Sequence, residues 1–233
     1  MRKLIAFILI LSLALCASAA LADQTITVTG SGETLVTADT AVVSLGVSVR
    51  KTDALWAQSA ANEAIARIRE ALTGAGFSEE DISTGYINLY TVYNYNDLGE
   101  EAVSAYNASS SLAVKVTDMA RVGEVIDLAF AAGANTLDGV SFSVSDDAAA
   151  RAESLKAAVA DAKEKAGILA EAAGLGELEI VNIQEGNVYS YDSGVNNFSR
   201  KTMAVEEAMG ATTVVRAAKI IVSAAVTVTI KVK

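Results

Sequence analysis

Apolar and polar positions follow two periods along this chain. Residues 25–29 and 43–49 alternate one by one, the period of a half-buried strand. Gly30 and Gly32 stand between the two runs and predict a turn or bulge there. Residues 53–73 shift to a helical period. Ala61, Ile65, Ile68 and Leu72 share one face, Thr52 or Asp53 can cap the start, and Gly74 can end the helix. Residues 82–95 and 102–117 return to strand character around Asn96-Asp97-Leu98-Gly99, a turn sequence, and predict a long hairpin. Asp118 then opens a second helix with Val122, Val125, Ile126 and Ala129 inward and Gly133 at its end. A strand over 139–144 follows, then a third helix begun by Ser145 or Asp146 and running to about Gly174. Its predicted seam is Ala152, Leu155, Val159, Ala162, Ala166, Leu169 and Ala173. Such small residues suit packing on the protein's own sheet, since a coiled coil wants larger seam residues. Residues 177–189 read as strand, 190–199 as a polar mobile loop, 203–209 as a short helix, and 220–222 with 224–232 as closing strand.

The order ββαββαβαββ predicts an α+β fold, helices packed on mostly antiparallel sheets in two sub-domains. The expected division is 23–111, a βαβ-type part with a tyrosine-rich hairpin, and 112–233, a βαβαβ part with a mobile loop about 190–218 and the closing strand.

The first residues carry a different pattern. Arg2 and Lys3 precede an apolar run from Leu4, and Ala17-Ser18-Ala19 and Ala20-Leu21-Ala22 follow as small-residue cleavage sites. This is the layout of a secretory signal, expected over 1–22 with cleavage after Ala19 or Ala22, and it predicts an exported protein of the periplasm, cell envelope or extracellular space. The apolar run is shorter than the ~20 residues of a transmembrane span. Leu15 before Cys16 is a poor lipid-attachment context.

Composition narrows the chemistry. The formal charge is −10, and loss of Arg2 and Lys3 with no acid in that stretch takes it to −12. Nucleic acid and anionic membranes, which require basic patches, are poor partners. The chain has no His, and its one Cys, Cys16, lies in the expected signal. Imidazole- and thiol-based catalysis and His/Cys zinc sites are therefore absent from the mature part. There is no Pro, where average usage of about 5% would supply roughly ten. Gly30-Ser31-Gly32 lacks the third glycine and the following helix of a dinucleotide fingerprint. The acidic groups Glu79-Glu80-Asp81, Asp97 with Glu100-Glu101, Asp146-Asp147 and Glu206-Glu207 have no calcium-loop spacing and read as solvated turns and caps. No cofactor, metal site or catalytic residue is expected.

Tyrosine is more informative. Five of seven lie in the predicted hairpin: Tyr86, Tyr90, Tyr93, Tyr95 and Tyr106. Tyr93 and Tyr95 share a strand face and are interleaved with Asn94 and Asn96. Tyr beside Asn suits a contact surface, and ordinary cross-strand packing is the plainer alternative.

The chain resembles the SIMPL-domain family, which includes periplasmic immunogenic and oxidative-stress-linked envelope proteins. The resemblance covers nearly all of 24–233. Its carriers are Val28-Thr29-Gly30-Ser31-Gly32-Glu33, Ala38-Asp39-Thr40-Ala41, Asn62, Gly76-Phe77 with Asp81-Ile82-Ser83-Thr84, Tyr93-Asn94-Tyr95, Tyr106-Asn107-Ala108-Ser109, Ile126-Asp127, Gly133-Ala134, Gly139-Val140-Ser141-Phe142 and the stretch 222–228. No single motif is specific; the ordered set is. Where the family usually has proline, this chain has Ala38, Leu89 and Ala217. The resemblance implies two sub-domains, an envelope location and, in some members, ring-like homo-oligomers. It implies no catalytic residues.

The expected function is that of a non-enzymatic exported envelope protein, self-associating or binding another envelope protein, with a role in oxidative-stress protection. No stable membrane span is expected after signal cleavage. A periplasmic small-ligand or peptide binding module is the alternative, using the tyrosine face. A carboxylate-based hydrolase has the charge inventory but no supporting spacing.

Overall fold

A computed structural model describes residues 24–95, 99, 101–192, 213–217 and 219–232. The expected signal, the turn residues Asn96 to Leu98 and the predicted helix at 203–209 lie outside the described residues, as does most of the predicted loop. Among the described residues, seven strands and three α-helices follow in order. They are β1 Thr25–Thr37, β2 Thr40–Lys51, α1 Ala54–Gly74, β3 Ile82–Tyr95, β4 Glu101–Val116, α2 Val122–Ala131, β5 Thr136–Ser143, α3 Ala148–Ala172, β6 Leu178–Asp192 and β7 Lys219–Val232. They form a three-stranded sheet ordered β1-β7-β6 and a four-stranded sheet ordered β3-β4-β2-β5. The fold is α+β, as the alternation of periods predicts.

The described residues divide into two compact units, each assembled from separate stretches: those within 1–33, 152–188 and 223–233 in one, those within 34–151 and 189–222 in the other. The expected boundary between 111 and 112 falls inside β4. Within the first unit the Val232 amide donates to the Gln24 carbonyl at 2.9 Å.

In the unit built around 34–151, β2 is central. It pairs antiparallel with β4 from Ala41↔Val116 to Lys51↔Tyr106 and with β5 from Thr40↔Ser143 to Gly46↔Thr136. Ala41, Val43, Leu45 and Val47 of β2 and Ala108, Leu112, Val114 and Val116 of β4 turn one face toward the helices. There α1 buries Ala57, Ala61, Ala64, Ile68 and Leu72. Ile65, an expected member of that stripe, is only partly buried. Asp53 caps α1, its carboxylate accepting from the Trp56 amide at 3.0 Å, a bond worth about 1 kcal/mol. Asp118 caps a 3-10 turn, Met119–Arg121, and α2 begins only at Val122. Arg121 fastens the two helices: its guanidinium lies 4.0 Å from the Phe77 ring centre and Nη2 donates to the Ala75 carbonyl at 2.9 Å.

The other unit corrects two expectations. Gly30 and Gly32 are not a turn, because β1 runs unbroken through both. A Cβ on Gly30 would stand 2.0 Å from the Ala158 carbonyl oxygen, and one on Gly32 2.2 Å from that of Ser154. The glycines are a seat for α3. That helix buries the predicted seam only in part: Ala162 and Ala166 are buried as expected, whereas Leu155 and Val159 are only partly buried and Leu169 is exposed. It buries Ala158, Ala162 and Ala166 against Val28, Val226, Val228 and Ile230. Against bare glycine backbone, an alanine stripe at intervals of four permits closer approach than leucine does.

Candidate contact surface

The hairpin of β3 and β4 is fixed by register and two irregularities. Pairing runs from Ile82↔Val114 to Tyr95↔Glu101, shifting between Thr84 and Ile87 and again between Val92 and Tyr93. At the first shift β3 has one residue more than its partner, a bulge. The Tyr86 amide there donates to the Ser111 hydroxyl at 3.0 Å, so the serine side chain replaces a ladder acceptor. Gly85 makes room for it, since a Cβ there would lie 2.5 Å from that hydroxyl oxygen.

The bulge sorts the tyrosines. Beyond it Asn88 stands beside Ser109 and Ser48, and Tyr90 beside Asn107 and Arg50, on the face away from the helices. Leu89 stands beside Ala108 and Val49, and Thr91 beside Tyr106 and Lys51, on the helix-bearing face. Tyr86, Tyr90, Tyr93 and Tyr95 are exposed, whereas Tyr106 is half-buried and packs against the core. Tyr106 thus supports the hairpin from beneath. Desolvation, with the nearby negative charge of Asp138, pushes the Tyr86 phenol above its ordinary value. Tyr95 Oη donates to Glu101 at 3.2 Å. On the face away from the helices, Asn107 Nδ2 donates to the Ser48 hydroxyl at 3.0 Å and the Ser109 hydroxyl at 3.2 Å.

Sequence reasoning misses Ile87, Leu89 and Val103, all exposed on the same hairpin. Ile87 is 63% and Leu89 43% exposed. The signal that points to them is charge: β3 is a 14-residue strand without one charged side chain. Each other strand has at least one: Glu33, Arg50, Glu101, Asp138, Glu179 and Lys219 are examples. Because β3 is the last strand of its sheet, its outer side pairs with no described strand. Exposed edges are normally blunted by charge, brevity or cover.

The opposite treatment is seen on β1, an edge of the three-stranded sheet. Asp161 of α3 accepts from the Ser31 amide at 2.7 Å, and Lys165 donates to the Thr29 carbonyl at 3.2 Å. The two side chains also pair with each other at 2.7 Å. Residues 29 and 31 direct their backbone groups to the same side, so the ion pair occupies two hydrogen-bonding positions of that strand. Lys165, then the Ser31 amide, holds the Asp161 carboxyl below its ordinary value.

The acidic groups that fall among the described residues are engaged locally. Glu79 pairs with Arg69 at 2.6 Å, Asp146 accepts from the Ala148 amide at 3.0 Å, and Asp147 binds Arg151 and the Ser190 hydroxyl, each at 2.7 Å. Among the described residues no three acidic, His or Cys side chains are grouped to hold a metal. A hollow of about 590 Å³ beside α2 contains Glu124 and Asp127. Glu124 is bonded to Arg121, and Asp127 accepts from the Thr213 amide at 3.0 Å. Among the described residues no helix is long and apolar enough to cross a membrane.

This is an α+β chain of two mostly antiparallel sheets, with a long, tyrosine-bearing strand edge that no described strand pairs. Residues 26–230 match the SIMPL family, described as a protein of unknown function (DUF541), and the chain belongs to that family. It is 35% identical over 164 residues to the 26 kDa periplasmic immunogenic protein of Brucella melitensis, covering 69% of this chain and 66% of that protein. It is 27% identical over 165 residues to the uncharacterized protein YggE of Escherichia coli, covering 71% of this chain and 63% of that one. The matched stretch falls just short of two thirds of either relative.

Proposed function

We propose that this chain is a non-enzymatic exported protein of the cell envelope that acts by contact, associating with itself through the exposed hairpin of β3 and β4. The observation that carries the proposal is the uncharged β3 edge with Ile87, Leu89, Tyr90, Tyr93 and Tyr95 exposed along it. Keeping such a strand in water without a partner invites edge-to-edge pairing. Export is supported by the pattern of residues 1–22 and by the name of the Brucella relative, which calls that protein periplasmic. Static light scattering of the purified protein tests the association. A mass that rises with concentration through the micromolar range is expected; a strict monomer would contradict it.

The stress-protective role implied by the family resemblance belongs to the same proposal. A strain lacking the gene should lose peroxide tolerance, regained with the wild-type chain and not with Leu89→Lys. Equal rescue by the variant would separate that role from the hairpin.

A second reading, a small-ligand or peptide binding module, draws on the Ser48–Asn107–Ser109 network beside Tyr90. Sugar or peptide screening by thermal shift distinguishes it: a raised melting point in a protein that stays monomeric favours ligand binding.

A further inference from the structure

We infer that the outer edge of β3 takes the β3 of a second copy, antiparallel, so that two four-stranded sheets join into one of eight strands. This rests on the contact reading above and names both the partner and the mode of pairing.

Three observations lead there. The strand is long and, among the described residues, open: Ile82–Tyr95 ends its sheet, and from Ser83 to Tyr95 no residue is buried. Its neighbour on the inner side is settled along nearly the full length by β4, so its remaining backbone groups face outward. Backbone pairing is therefore the interaction this edge offers, with side chains setting register.

The second observation selects the partner. Two copies each carrying a formal charge of −10 repel wherever carboxylates meet. Of the four edge strands, β5 carries Asp138, and β6 carries Glu179, Glu185 and Asp192. The edge of β1 is occupied by Asp161 and Lys165. Among the described edge strands, only β3 presents no charged side chain of its own to a second acidic chain. An uncharged strand provides no steering for a basic partner, while an identical copy presents the same uncharged strand.

The third observation is geometric. A two-fold axis between identical antiparallel strands leaves each face of the joined sheet on its own side. Directly opposed residues then share a face, so their numbers have the same parity and one residue must face its own copy. The regular run between the two shifts is Ile87 to Val92; centring the pair there gives the two 14-residue strands their longest overlap, so the proposal places the self-facing residue within it. Opposed Cα atoms in antiparallel strands lie about 4.5 or 5.5 Å apart, inside the range a disulfide spans.

The natural cysteine count makes this testable. Cys16 is the sole cysteine, so the full chain carrying Cys16→Ser, exported and purified, is a blank background. Single cysteines are placed at each position from 87 to 92 and, as a control, at Ser141 of β5, and the proteins are oxidised mildly. Disulfide-linked dimer is expected to peak at one position of β3, about tenfold above its immediate neighbours, because the two copies of a neighbour are offset by two residues along the strands, about 6.6 Å, which carries them beyond disulfide reach. Slower amide exchange over 86–95 at high concentration than at low is expected in parallel. Uniform cross-linking, a maximum at Ser141→Cys, or exchange over 86–95 that ignores concentration would overturn the pairing. If light scattering still shows association in those cases, edge pairing fails while the contact reading stands. A strict monomer removes both.

Discussion

Gly30 and Gly32 are identifiable in the sequence, yet their purpose is not. Local pattern marks a glycine as a break, whereas what demands these two is α3, which lies far along the chain. Gly30→Ala should lower stability by about 1–3 kcal/mol, the usual cost of overpacking, because the obstacle is backbone that cannot swing away. Urea denaturation measures it. Gly167 is the opposite case: it lies inside α3, and a Cβ added there would meet nothing within 4 Å. Gly167→Ala should raise stability by about 0.5–1 kcal/mol, the difference in helix propensity. Arg121 shows the same limit of local pattern. Its bond to the Ala75 carbonyl and its place over Phe77 depend on residues in other elements. Arg121→Ala should cost about 1–2 kcal/mol through the lost hydrogen bond and ring contact.

Elements are legible where one face meets one core. The stripe of α2 can be read in full from its spacing, and the strand pattern places β3 from Ile82 to Tyr95 as found. The seam of α3 is misleading because its larger residues suggest the buried face, whereas glycine backbone opposite favours alanine. The tyrosine cluster is visible as composition; the bulge that divides it is not, since a one-residue shift depends on the Ser111 hydroxyl of the next strand. The guard on β1 is equally hidden, as Asp161 and Lys165 resemble any surface pair four residues apart. In a Leu89→Lys background, where the proposed β3 pairing should be suppressed, Asp161→Ala should expose the β1 edge and give new, larger species by light scattering. No change would mean that the ion pair is incidental to that edge. Acid should act in the same direction. A carboxyl whose folded value is depressed contributes stability above its ordinary value, 3.8, and loses it as pH falls through the folded value. The guard therefore holds at neutral pH and is released only at a pH below the ordinary value of 3.8, which amide exchange at Ser31 would register.

At the scale of the whole molecule, the sequence indicates two parts but not their composition. A contiguous cut is the simplest expectation, yet the first unit draws β-strand residues from both chain ends and most of α3 from between. Such closure is a non-local property, set by pairing between strands whose residues carry no marker of their partner. Charge is the more reliable whole-chain signal. Among the described strands only β3 carries no charge, and the proposed association rests on that asymmetry within a strongly acidic chain. The most direct measurement is the light-scattering mass of the wild-type chain and of Leu89→Lys over the same micromolar range. The account predicts a mass that climbs with concentration for the wild type and stays monomeric for the variant, with both equally folded by circular dichroism. Identical masses for the two proteins at every concentration would contradict it.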